Sequence, residues 1–146
     1  MNIRYTKKTK LWFKKIDIDA HELSKIIVQL CAREGRCRRK AHMTINIMPR
    51  ALDSSFTYIN NRLDVAVGAR ASRPRHYKIK KMIRNLLHEL RHFIQYRIKN
   101  KPFNLSYTMR DANLMSDRYW NDPEEIDARH YERKMLMTVY KKLIKR

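Results

Sequence analysis

The reading of this chain turns on residues 72–99, SRPRHYKIKKMIRNLLHELRHFIQYRIK. Ser72 and Pro74 are helix-start residues, and Ile79, Met82, Ile83, Leu86, Leu87, Leu90 and Ile94 follow as a broad apolar stripe at helical period. The pattern predicts one long buried-face helix over about 73–99. Within it stands His88-Glu89-Leu90-Arg91-His92, an HExxH motif. Residues four apart on a helix share a face, so both imidazoles can reach one ion. Glu89, one position on, is placed to hold and deprotonate a water beside that ion rather than to bind it.

Around this helix the chain reads as a mixed fold. Asp19 can cap a helix to about Glu34, in which Leu23, Ile26, Ile27 and Leu30 share a face, and Gly35 stops it. MTINIM, ended by Pro49, predicts a strand. FTYIN and RLDVAVGA flank Asn60-Asn61, a pair suited to a hairpin turn because Asn tolerates positive φ. A polar loop from 100 to 122 precedes Asp122-Pro123, which opens a last helix with Glu124 and Glu125 in its first turn. Strands followed by helices give an α+β class, with a basic N-terminal segment over 1–18 and the folded domain over 19–146.

The chain has 146 residues with 34 Lys+Arg against 14 Asp+Glu, a formal charge of +20. Its hydrophobic fraction of 43% suffices for a core, which excludes a wholly disordered basic tail. Two glycines and four prolines exclude collagen-like and linker-rich designs. No apolar run approaches the ~20 residues of a membrane span, and the basic start lacks the apolar core of a signal peptide. A monomer in the cytoplasm is expected, with Cys31 and Cys37 as reduced thiols; together with His42 they match no standard zinc spacing.

A catalytic zinc takes three protein ligands and keeps an open position. The natural source of the third is YWNDPEEIDAR, residues 119–129, which sets carboxylates in a helix first turn with small Ala128 a turn later. Glu124, Glu125, Asp127 and His130 are the candidates there. Glu124 is turned about 100° from Glu125 around the helix.

HELRH followed by PEEIDARHYE resembles the ImmA/IrrE-type minimal gluzincins, including short phage-encoded members. The order of elements is similar from about residue 20 to 140, while the specific matches lie in these two motifs. The resemblance implies a zincin-like domain: an N-terminal helix, a small sheet, the HExxH helix and a glutamate-bearing helix. It also implies that the glutamate three residues before the alanine, Glu125, joins His88 and His92 on Zn²⁺. Arg129-His130-Tyr131 depart from the family pattern after the alanine. The implied activity is hydrolysis of a protein or peptide by a zinc-bound water that Glu89 activates. Tyr119, Arg129, His130 and Tyr131 are candidate oxyanion donors or supports of the ligands, with Asp111 and Asp117 as other partners for Arg129. By analogy with zincins, the strand around Leu63–Gly68 is expected to be the edge along which substrate lies.

Seven of the fourteen acids fall between 111 and 132, so the remainder is more basic still. Lys14, Lys15, Arg36, Arg38, Arg39 and Lys40 are candidate phosphate contacts, and lysines interleaved with Tyr5, Trp12 and Phe13 suit stacking on bases. The competing reading of the same aromatics is an N-terminal strand packed on the core. Nucleic-acid-associated proteins are thus a candidate substrate class. The rival function is a basic nucleic-acid-binding or phage structural protein on an inactive zincin scaffold.

Overall fold

The structure is a computed structural model that describes residues 1–36, 41–101 and 120–145. Its elements are β1 (Asn2–Tyr5), α1 (Lys7–Ile16), α2 (Ala20–Glu34), β2 (His42–Met48), β3 (Ser55–Thr57), β4 (Arg62–Ala66), α3 (Arg75–Phe93) and α4 (Pro123–Ile144). A π-helical turn, Ile94–Ile98, continues α3 without a break. The class is α+β: among the described residues, four helices accompany one small mixed sheet. No helix of the described residues is long and apolar enough to cross a membrane.

The sheet has the order β1-β2-β4-β3. β1, β2 and β4 run parallel, and β3 returns antiparallel on β4, with Phe56 opposite Leu63. Asn61 takes the positive φ of 50° that the hairpin turn requires. Alternation along the strands sends Met43, Ile45, Ile47, Leu63 and Val65 into the core. Between them stands a polar ladder: Thr6 Oγ1 donates to Asn46 Oδ1 (2.8 Å), and Asn46 Nδ2 donates to Asp64 Oδ1 (2.9 Å).

α3 buries Ile79, Met82, Ile83, Leu86, Leu87, Leu90 and Phe93 almost completely. Each such side chain contributes about 1.5–3 kcal/mol of transfer free energy, so α3 is the best-anchored element of the fold. Leu23, Ile26, Ile27 and Leu30 of α2 join the same core. Asp19 caps α2 through the His21 and Glu22 amides (2.9 and 3.2 Å). Gly35 ends α2 at φ +140°, where a Cβ would also crowd Ile98 at 3.2 Å.

One feature decides between two sequence readings and another corrects one. In the basic segment, residues 2–16 form a strand paired to β2 and a helix capped by Thr6; the N-terminal strand is the one expected from the competing reading of the aromatics, while Trp12 and Phe13 stand on the helix instead. Phe13 and Ile16 of that helix are buried in the core, and Tyr5 meets Phe13 edge-on at 5.3 Å. The strand expected as an edge, Leu63–Gly68, is interior: β2 and β3 pair with β4 on its two sides, and β3 is the outermost strand there. The hairpin folds back on the outer side, so the short strand shields the longer one.

Candidate metal centre

His88 and His92 project from one face of α3 toward the first turn of α4. Asp122 caps that turn by accepting from the Glu124 amide (2.8 Å), and Pro123 preorganises its start. Ala128, 0% exposed, occupies the next turn, where a larger side chain would hold the helices apart. Glu125 thereby reaches both histidines: Oε2 lies 3.0 Å from His88 Nε2 and Oε1 2.9 Å from His92 Nε2. One ligand atom from each of the three residues falls within 4.8 Å of the others, close enough to hold a metal ion.

The far nitrogens of both rings are also held. Glu132, two turns beyond Glu125 and so on the same face of α4, sets Oε2 3.2 Å from His88 Nδ1. Gln95 Oε1 lies 2.9 Å from His92 Nδ1. The Gln95 amide nitrogen donates to the Glu124 carbonyl (3.0 Å) and to Asp127 Oδ2 (2.9 Å), which fixes its oxygen toward the histidine. Both partners of the Nδ1 atoms are acceptors, so each Nδ1 carries a proton and each Nε2 is the atom left for a ligand bond.

Electrostatics match this geometry. Burial disfavours the His88 imidazolium, but hydrogen bonds to Glu125 and Glu132 outweigh it and push the pKa up to about 10. His92 is raised as well: burial opposes its charge, and Glu125 and Glu89 favour it. Burial likewise disfavours ionised Glu125, yet the two imidazoles bring its pKa below the usual carboxylate range. Glu89 is only 6% exposed, and burial raises its pKa against the pull of His92 and His88. Its charge couples to both histidines, Glu125 and Glu132, which sets it beside the cluster.

The other candidate ligands are engaged elsewhere. Asp127 accepts from Arg91 Nε (2.7 Å) and Nη2 (3.2 Å) as well as from Gln95. Arg91 also pairs with Glu34 at 3.1 Å, tying α2, α3 and α4 together. Glu124 accepts from the Tyr96 hydroxyl at 2.5 Å. The Tyr96 ring lies nearly parallel to His92 (6.2 Å) and to Phe56 of β3 (6.0 Å), a column that runs from the sheet edge to the site.

His130 is exposed and lines a cleft with Leu30 and Glu34, on the α2 side of α4. Tyr131 lines that same cleft, its ring 4.8 Å from the Arg91 guanidinium and its phenol pushed up to about 12 by burial. Neither is brought to the histidines, because both point to the face of α4 that packs on α2. Arg129 hydrogen-bonds the Trp120 carbonyl and stacks 4.0 Å over the Trp120 ring. Tyr119, Asp111 and Asp117 lie outside the described residues, as do Cys37, Arg38, Arg39 and Lys40. Lys14, Lys15 and Arg36 are exposed, the first two on α1 and Arg36 just past α2.

The supporting residues Glu132, Gln95 and Tyr96 escaped the sequence reading. Their signal was periodicity: Glu132 is seven residues from Glu125, and Gln95 three and Tyr96 four from His92. Compared with known proteins, the chain matches no family model, no curated protein and no solved structure.

Proposed function

We propose that the protein is a zinc-dependent metallopeptidase of the gluzincin type, built on a zincin-like arrangement of sheet, HExxH helix and glutamate helix. The observation that carries this reading is the placement of one Glu125 carboxylate against the Nε2 atoms of both His88 and His92. Two imidazoles and one carboxylate are a donor set that suits a catalytic zinc, and a histidine whose other nitrogen donates to a carboxylate or amide is the usual support. His88, His92 and Glu125 would hold the ion. Bound there, zinc supplies a Lewis acid and lowers the pKa of water toward ~7.

The chain's own residues divide the remaining work. Glu132 and Gln95 keep the two rings in the Nε2-ligating tautomer. Glu89 takes a proton from the attacking water and returns it to the leaving amine, and its burial raises its basicity for that role. The protein substrate would approach from the β3 side, where the Phe56–Tyr96–His92 column leads to the ligands.

Metal analysis of purified protein tests the reading, together with cleavage of an unstructured protein such as casein. About one zinc per chain is expected, lost in His88→Ala and kept in Glu89→Gln, with hydrolysis abolished in both. A folded wild-type protein that takes up no zinc overturns it. Stoichiometric zinc without hydrolysis overturns the peptidase assignment and leaves a metal-binding scaffold.

A further inference from the structure

α1, the end of β2 and the segment after it line an open groove of about 650 Å³. That volume lies within the range of small-ligand sites. A smaller cavity of about 190 Å³ adjoins it, and Trp12, Lys15, Pro49 and Arg50 line both, so the two form one trough. Its floor is apolar, from Leu11, Trp12, Met48 and Pro49. Its charged side chains are Lys8, Lys15, Arg50 and Lys78, and no carboxylate lines either part.

The sequence of α1 explains the trough. Thr9, Phe13 and Ile16 spend one face of the helix on the core. Lys8, Leu11, Trp12 and Lys15 stand at i, i+3, i+4 and i+7, and so form a second face alternating cation and apolar surface. Leu11 is 59% exposed. Three kinds of anionic partner could answer this charge. An anionic bilayer needs several protruding apolar side chains, whereas among the described residues Leu11 is the one exposed large apolar residue lining this trough, Trp12, Met48 and Pro49 are half-buried, and the other apolar face of α1 is spent on the core. An acidic strand needs a free sheet edge, whereas β2, which supplies this wall, is paired with β1 and β4. A single-stranded nucleic acid needs a cationic groove with an aromatic surface, which is the combination present.

We infer that this trough binds single-stranded nucleic acid, with Lys8, Lys15, Arg50 and Lys78 contacting phosphates and Trp12 offering its ring to a base. The site is separate from the metal centre and stands whether or not the chain is a peptidase. Binding through four phosphate contacts is strongly salt-dependent: affinity falls roughly 50-fold between about 50 and about 200 mM salt.

The test uses the full chain and an oligothymidylate of about twelve nucleotides. In a Trp120→Phe background, Trp12 emission is expected to be quenched on binding. Lys8→Gln/Lys15→Gln/Arg50→Gln should weaken binding at least tenfold and flatten the log–log salt slope by about 2. Lys141→Gln/Lys142→Gln/Lys145→Gln removes the same charge from exposed positions at the end of α4 and should weaken it less than threefold. All six positions are exposed, so both variants should keep the wild-type thermal midpoint. Equal loss in the two variants, or binding without Trp12 quenching, overturns the assignment. So does equal or tighter binding of polyglutamate or of phosphatidylserine vesicles at the same salt.

Discussion

The Glu132 carboxylate meets Nδ1 of His88 at 3.2 Å, on the side of the ring opposite Glu125. His88 is therefore gripped at both nitrogens by residues two turns apart on α4. The same carboxylate receives Arg84 Nε at 3.4 Å, a half-exposed contact of small worth. Its value lies in orienting the ring, and that is measurable.

Glu132→Ala should lower zinc affinity by 10- to 100-fold while leaving the fold intact, as loss of a carboxylate behind a ligating histidine does elsewhere. Competition against a chromogenic chelator reads the affinity, and circular dichroism reads the fold. Glu132→Gln retains an acceptor oxygen and should recover part of the loss. An unchanged affinity in both variants would show that His88 needs no such support.

The metal-free protein should have a distinctive dependence of stability on pH. The folded state favours the His88 imidazolium, so its contribution is complete below the ordinary histidine value of 6.5. It is lost as pH rises toward about 10. Glu125 is shifted the other way: its contribution is present above the ordinary value of 4.5 and is lost as pH falls through its lowered one. The metal-free thermal midpoint should thus be highest between those two ordinary values and decline on the alkaline side. With excess zinc the alkaline decline should reverse, because the metal requires both rings neutral and displaces their protons. Calorimetry with and without chelator from acid to alkaline pH decides it; parallel curves would refute the coupling.

Ala128 sets the distance between α3 and α4. Ala128→Leu adds volume at a position that is 0% exposed and should cost about 1–3 kcal/mol. It should also displace Glu125, so zinc affinity falls by more than tenfold even at temperatures where the variant is fully folded. A variant destabilised but with unaltered zinc affinity would mean that α4 adapts by shifting along its axis.

Much of this architecture was legible in local pattern. The stripe from Ile79 to Ile94, the cap at Asp19, the Asn60-Asn61 turn and Asp122-Pro123 each express a short-range rule, and each has its counterpart in the fold. The His88–His92 face follows from helical period alone. What escaped was non-local. The N-terminal strand is one of two readings of Tyr5, Trp12 and Phe13, and its bounds at Asn2–Tyr5 are set by parallel pairing with His42–Ile45, which the local sequence does not carry. Leu63–Gly68 looked like an edge because nothing in its own sequence tells on which side the hairpin folds back. Tyr131 and His130 sit one turn from promising neighbours, but their direction is set by where α2 packs. Gln95 and Tyr96 keep the i+3 and i+4 spacing to His92 into the π-helical turn Ile94–Ile98, but which face of that turn meets α4 is set by tertiary packing.

The surroundings of Glu125 favour its anion and those of the two imidazoles favour their cations, and the carboxylate is the hydrogen-bond partner of both rings. Many small metalloproteins collapse when stripped, because bare ligands repel or lie unsatisfied. At this site protons shared between Glu125 and the two rings would hold the cradle together in place of a cation. Chelation should then act as an off-switch rather than a denaturant, and re-addition of metal should restore the protein without a refolding step. Occupancy would then follow surrounding acidity and metal supply over the lifetime of a single folded molecule.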